Sequence, residues 1–205
     1  MYGVEVTKLS KRFGTRRVLD EVSFTLAVGD SLAVVGKNGS GKTTLLKILA
    51  GLSTPTRGSV TFSNEKKKLD RAEIRNRLSY VGPELTLYDS LTAAENLTFF
   101  AAMRGVSLEK DRVDSILGDL QLGGRGGDFY GAYSSGMKQR LKYAVALLND
   151  PVYLLLDEPT ANLDDEGKAV VAGIMARQKK NGILIVATNE AGEYGFAEKL
   201  IRLGV

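Results

Sequence analysis

The residues best suited to chemistry lie in Gly36-Lys37-Asn38-Gly39-Ser40-Gly41-Lys42-Thr43, which matches G-x-x-x-x-G-K-[ST] at every position. The glycines let the backbone curl so that successive N–H groups point at one anion. Lys42 would reach the β- and γ-phosphates of a bound nucleotide, and the Thr43 hydroxyl would ligate Mg²⁺. Gly36, Asn38, Gly39, Ser40, Gly41 and Thr44 join them as the candidate phosphate-binding set. The bland alternative is a glycine-rich turn between strand and helix with a chance lysine. A second group follows at Val152-Tyr153-Leu154-Leu155-Leu156-Asp157-Glu158-Pro159, an apolar strand ending in two carboxylates. Ligands of open α/β sheets sit outside the carboxyl ends of the strands. There Asp157 would hold Mg²⁺ through water, and Glu158 could polarise an attacking water. Taken alone, the pair also reads as an acidic cluster opening a helix.

These residues need particular elements to position them. Ser31-Leu32-Ala33-Val34-Val35 reads as a buried strand, and Thr44–50 carries apolar residues at helical spacing. Strand, glycine loop and helix is the context a phosphate loop requires, and the helix adds its partial positive N-terminus. Residues 1–30 suggest an antiparallel β layer, with a turn over residues 11–17. Residues 51–58 form a turn cluster, followed by a strand at 59–62. The basic stretch 65–77 reads as a solvated hairpin tip and surface helix, since it lacks the interleaved aromatics of a nucleic-acid patch. A strand is expected at Leu78-Ser79-Tyr80-Val81. Residues 89–120 read as helical, with stripes of Leu91, Glu95, Phe99 and Met103 and then Val113, Ile116, Leu117 and Leu120. Residues 121–131 hold five glycines and read as a loop. A helix at 136–149, a strand at 152–157, a helix at 164–180, a strand at 183–188 and a closing segment at 193–203 complete the pattern. Alternating β and α units with near-continuous apolar strands predict a parallel sheet covered on both faces.

Composition removes several kinds of chemistry. The 205 residues contain no cysteine and no histidine. Disulfides, thiolate nucleophiles and the commonest general base and metal ligand are therefore excluded. Catalysis must rest on carboxylates, lysine, backbone dipoles and a bound metal. The net charge of +4 is mild and suits a phosphate ligand or an anionic membrane surface. The apolar runs are too short to span a bilayer, and the first residues lack the apolar stretch of a signal peptide. Work at a membrane would need another chain to do the spanning.

Between the two groups stands Tyr133-Ser134-Ser135-Gly136-Met137-Lys138-Gln139-Arg140-Leu141, a hydroxyl and a glycine at a helix N-terminus. By itself it is no more than a helix cap. With the other motifs it resembles the signature of the ATP-binding cassette (ABC) ATPases, with Ser135 where a glycine is usual. The resemblance covers almost the whole chain. It implies an α/β P-loop NTPase fold of ABC type, with a mostly parallel core sheet, an N-terminal antiparallel β layer and a helical subdomain. The single nucleotide-binding domain would span 1–205, with 1–83 and 151–205 as core and 84–150 as helical subdomain. The resemblance further implies that Phe13 stacks on adenine, and that Thr160-Ala161-Asn162-Leu163-Asp164 crosses to the other subunit. Ser134 and Gly136 would contact nucleotide held by a second copy, or by a related ATPase, in a head-to-tail MgATP sandwich. Leu87-Tyr88, Leu91-Thr92 and Glu95-Asn96-Leu97 resemble the start of the subdomain that faces an integral membrane subunit.

Two departures stand out. The family's glutamine falls on Pro83 or Glu84, so Glu84 is the candidate metal contact. Thr188-Asn189-Glu190 stands where Thr-His-Asp is usual, so Asn189 joins Lys42 and Glu158 in the candidate catalytic set. Asparagine donates a hydrogen bond but carries no charge, and slow hydrolysis is expected. The chain most resembles small ATPase subunits of bacterial exporters, including those of heme export in cytochrome c biogenesis. The expectation is a cytoplasmic protein, peripheral on the inner face of the plasma membrane, with no nucleic-acid partner. Competing readings are a non-transport ABC ATPase, a metabolite kinase and a weakly hydrolysing nucleotide switch. Too little chain separates Lys42 from Ser134 for the long coiled coil of a repair ATPase. A kinase would leave the signature unexplained.

Overall fold

The computed structural model describes residues 1–65, 67–161, 163–189 and 194–204. Alternating burial in the first residues turns Val4, Val6 and Leu9 inward and builds β1 (Tyr2–Phe13) and β2 (Arg16–Ala27), paired antiparallel. The turn between them is shorter than the predicted 11–17. Pairs Lys11↔Leu19, Arg12↔Arg17 and Phe13↔Arg16 keep the ladder closed to the hairpin tip, leaving only Gly14-Thr15 outside it. β4 (Arg57–Asn64) pairs with the other edge of β1, and β5 (Lys67–Lys68) completes a sheet of order β2-β1-β4-β5. The surface helix α2 (Arg71–Arg77) buries none of its residues, as the charged 65–77 stretch predicts.

The second sheet is parallel, in the order β6-β7-β8-β3-β9. Its strands are β3 (Ser31–Val35), β6 (Leu78–Val81), β7 (Tyr153–Asp157), β8 (Ile183–Thr188) and β9 (Lys199–Arg202). Every residue of β3, β7 and β8 is buried, which is why these strands read as unbroken apolar runs. Helix α1 (Lys42–Leu49) packs Leu45, Leu46, Ile48 and Leu49 into the same core. Val4, Leu9, Leu26 and Phe62 of the antiparallel sheet share that core with Leu32, Leu155 and Ile185.

Tyr153 ties the two sheets together. Its ring meets Phe62 edge-on at 4.8 Å between centroids. Its hydroxyl donates toward Gly3 O at 3.1 Å and lies 3.2 Å from Ser63 O. Burial pushes its phenol up to about 12, with Tyr2 adding to the shift, so the group stays protonated.

Two units are distinguished by their internal contacts. The first holds Met1–Gly82, Val152–Pro159 and Met175–Val205, and the second holds Pro83–Pro151 and Thr160–Ile174. Residues 160–174, grouped with the core on sequence, fall in the second unit. In that unit α3 (Ala93–Met103), α4 (Lys110–Asp119) and α5 (Ser135–Leu147) pack on one another. Helix α6 (Asp165–Asn181) starts there and ends in the first unit. A reciprocal cap of Thr92 and Glu95 opens α3. The stripe expected on α3 is not its buried face. Ala93, Asn96, Leu97 and Ala101 are buried, whereas Phe99 is 39% and Met103 71% exposed. Asn96 sets this rotation. Its amide donates to the carbonyls of Tyr88, Leu91 and Thr92 and accepts from Tyr88 N–H, so that face must turn inward. Of the second stripe, Val113, Leu117 and Leu120 are buried and Ile116 is half-buried.

Removing the Tyr153 hydroxyl should loosen the junction of the sheets. Tyr153→Phe removes the one donor shared between two part-buried carbonyls, at about 0.5–1.5 kcal/mol for the hydrogen bond lost. Equilibrium urea unfolding should show a stability loss of about 0.5–1.5 kcal/mol; an unchanged midpoint would remove the role given to this hydroxyl.

Candidate functional site

Three adjacent parallel strands deliver the site. β8 lies between β3 and β7, with Val35 opposite Thr188 and Asp157 opposite Ala187. The residues that follow at their carboxyl ends are therefore neighbours: Gly36 after β3, Asn189 after β8 and Glu158 after β7.

Within the loop, two glycines are required by geometry. Gly41 has φ of 104°, and a Cβ there would lie 2.9 Å from Val18 Cγ1. A Cβ at Gly36 would lie 2.6 Å from both Leu203 O and Ser40 Oγ. Gly41 also caps α1 without any side-chain hydrogen bond, and the first turn of α1 carries no acidic residue. The first intrahelical bond runs from Leu45 N–H to Gly41 O at 2.9 Å. The preceding N–H groups keep their positive ends for a ligand.

Lys42 is 6% exposed and lies at the centre of the site. Its Nζ donates to Gly36 O at 2.8 Å and pairs with Glu158 Oε1 at 3.2 Å. Glu158 is held in turn. Its N–H donates to Ala187 O at 2.8 Å, and its Oε2 accepts from Asn189 N–H at 3.4 Å. Its φ of 49° is left-handed, a conformation that costs a non-glycine residue on the order of 1–3 kcal/mol. The Asn189 side-chain amide donates to Asn38 Oδ1 at 3.3 Å, joining the end of β8 to the phosphate loop.

Phe13, Asn38, Gly39, Gly41, Lys42, Thr43, Thr44 and Glu158 line one open cleft of about 450 Å³. Arg16 and Val18, not singled out in the sequence, line it too. Arg16 donates to Gly39 O at 3.3 Å. The Phe13 ring is 55% exposed and carries the Lys11 ammonium at 4.8 Å from its centroid.

Asp157 is 5% exposed, and its Oδ2 accepts from the Tyr80 hydroxyl at 3.2 Å. Its Oδ1 is buried with no hydrogen-bond partner. A buried orphan oxygen needs an explanation, and a cation held through water supplies one. Ser40 Oγ is a second such atom. Among the described residues no group of three or more Asp, Glu, His or Cys could cage a metal. Mg²⁺ suits that donor set, because it keeps several waters and takes one or two protein ligands plus substrate phosphates.

The remaining candidates belong to the second unit. Ser134 caps α5, its Oγ accepting from Met137 N–H at 3.2 Å, with Gly136 in the first turn. Glu84 is exposed. Asp164 caps α6 through Gly167 N–H at 2.9 Å. Asn162 and Glu190 lie outside the described residues. Tyr80 was read from the sequence only as part of a strand. Its place at a strand's carboxyl end was a usable signal, but the pairing of β6 with β7 was not.

Comparison with known proteins agrees with this geometry. Residues 19–161 match the family model described as ABC transporter. The ABC transporter ATP-binding protein YybJ of Bacillus subtilis (strain 168) is 35% identical over 93% of this chain and 86% of its own length. The lantibiotic transport ATP-binding protein SrtF of Streptococcus pyogenes is 34% identical over 91% of this chain and 79% of its own. The bacitracin transport ATP-binding protein BcrA of Bacillus licheniformis is 36% identical over 80% of this chain; the match spans only 53% of that protein. Among solved structures, a dimeric ATP-binding cassette in a post-hydrolysis state, bound to ADP and Pi, superposes with a TM-score of 0.83 at 26% identity. It covers 98% of this chain and 94% of its own. The ATP-binding subunit of an ABC transporter superposes at 0.84 with 28% identity, over 98% of this chain and 85% of its own. With the phosphate loop, the carboxylate pair and the cassette fold in place, the chain belongs to the ABC transporter family, as an ATP-binding ATPase subunit.

Proposed function

We propose that this chain is the energy subunit of a bacterial exporter, binding MgATP in the cleft beside Lys42 and hydrolysing it to drive a separate membrane protein. The observation that carries the reading is Lys42 Nζ 3.2 Å from Glu158 Oε1 at the mouth of the phosphate loop. A cation for the transferred phosphoryl group and a carboxylate for its attacking water meet in one place. A relative named Nod factor export ATP-binding protein I, 33% identical over 82% of this chain and 50% of its own length, supports the direction. No described helix is long and apolar enough to cross a membrane, so the spanning falls to a partner. The proposed location is the inner face of the plasma membrane.

In this reading the free N–H groups of α1 take the phosphate oxygens, and Phe13 stacks on the base. Lys42 exchanges its contact with Glu158 for the β- and γ-phosphates. Glu158, released, orients and polarises the water. Thr43 and Asp157 would hold Mg²⁺, with Glu84 as a further contact, and the ion would neutralise charge that develops on the phosphates. Asn189 reports the γ-phosphate to the loop through Asn38. A second copy arranged head to tail would present Ser134 and Gly136 to the same nucleotide, and closure would be passed to the membrane subunit.

Lys42→Ala should weaken ATP binding by about 1.5–3 kcal/mol per charged hydrogen bond lost. Calorimetric titration measures this, and an unchanged affinity would sink the assignment of the loop.

Glu158→Gln preserves shape but loses the charge that polarises water. It should bind ATP, hydrolyse almost none and accumulate as an ATP-dependent dimer on gel filtration. Wild-type turnover would point to another base, and a monomer at saturating ATP would count against the sandwich.

At position 189, Asn→Ala should lower turnover by less than the ~10²–10³ typical of a lost transition-state donor. Asn→His should raise it with little change in ATP affinity. Steady-state ATPase rates decide, and an alanine variant at wild-type rate would strip Asn189 of any catalytic role.

A further inference from the structure

We propose that Tyr80 is a positioning residue for the Asp157 carboxylate, fixing it so that Oδ1 is presented to the Mg²⁺ shell, and that Gly82 lacks a side chain in order to leave room for that phenol. This rests on the reading of Asp157 as the Mg²⁺-holding carboxylate.

β6 runs parallel to β7, with Tyr80 opposite Leu155 and Val81 opposite Leu156. The long tyrosine side chain therefore reaches along the sheet to the last residue of the next strand. Its hydroxyl donates to Asp157 Oδ2 at 3.2 Å. An aspartate carboxylate rotates readily about its last bond, and its two oxygens are chemically equivalent. A donor on one oxygen breaks that equivalence. Oδ2 is held against β6, and Oδ1 is left buried without a partner. Partners of this kind, behind a metal-binding carboxylate, orient it and tune its basicity.

Gly82 supplies an independent observation. It has no left-handed backbone angle that would call for glycine. A Cβ there would instead fall onto Tyr80 Oη and Cζ, with Cε1 only 2.8 Å away. The glycine is explained by the position of the phenol.

The test uses the full chain saturated with ADP, with Mn²⁺ as the probe metal. Binding is followed by the electron paramagnetic resonance of free Mn²⁺, and ADP affinity is measured separately in EDTA. Tyr80→Phe keeps the ring and removes only the donor. It should weaken Mn²⁺ binding by about 10-fold or more while leaving metal-free ADP affinity unchanged. Gly82→Ala, which shifts the ring, should weaken Mn²⁺ binding in the same way, and the double variant should add little to either. Asp157→Asn is the reference and should weaken Mn²⁺ binding at least as much. If Asp157→Asn has no effect, Asp157 does not hold the metal and the underlying reading fails. If Asp157→Asn weakens Mn²⁺ binding but Tyr80→Phe does not, the proposal for Tyr80 alone is overturned. A Tyr80→Phe variant that loses metal-free ADP affinity to the same degree as Mn²⁺ affinity also overturns it, by showing a general packing role.

Discussion

The register of three parallel strands is the constraint on which the site depends. β3, β8 and β7 are aligned so that Val35 faces Thr188 and Ala187 faces Asp157. That alignment puts the phosphate loop, Asn189 and Glu158 within hydrogen-bonding reach of one another. A slip of one residue would exchange the faces of every side chain on a strand. In strands buried on both faces, such a slip would also misfit the core against α1 and the antiparallel sheet. Packing of Leu32, Leu155 and Ile185 therefore fixes the geometry of the candidate site, although none of them lines the cleft.

A chain without histidine or cysteine must build its site from groups that hold their charge near neutral pH. Lys42 is buried, and its ammonium is shared between Glu158 and the Gly36 carbonyl. A buried charge is tolerable only when it is paired and hydrogen-bonded. In the proposed function the same two partners give way to phosphate oxygens, so binding would be an exchange of one set of charge-assisted contacts for another. The neutral amide pair of Asn38 and Asn189 connects the loop to β8 without adding to that charge balance.

Much of this architecture was legible in the sequence. The apolar runs 31–35 and 183–188 match the observed strands β3 and β8, because full burial demands continuous hydrophobicity, and 78–81 matches β6, where buried and half-buried residues alternate. The phosphate loop was legible because its glycines and lysine answer to geometry that few other residues satisfy. What was hidden depended on contacts between distant segments. The buried face of α3 is set by the bonds of Asn96 to the loop before it, which outweigh the apolar count of Phe99 and Met103. Arg16 enters the cleft because the β1–β2 ladder continues to Phe13↔Arg16, past the ends of the turn expected at 11–17, and Val18 lines the cleft from the strand beside it. The contact of Tyr80 with Asp157 required knowing that β6 and β7 are neighbours, and chain order does not state this.

The left-handed backbone of Glu158 sets a conflict between durability and work. Glycine, or to a lesser degree asparagine, would occupy that conformation at less cost. Relief of that strain alone would favour replacing glutamate here, but the change would leave the buried Lys42 ammonium without its ionic partner. The carboxylate at the end of β7 is therefore favoured by that pairing as well as by the work proposed for it. The position belongs to the class in which stability and activity pull in opposite directions. A stabilised variant selected without regard to turnover would gain here only by changing Lys42 together with Glu158.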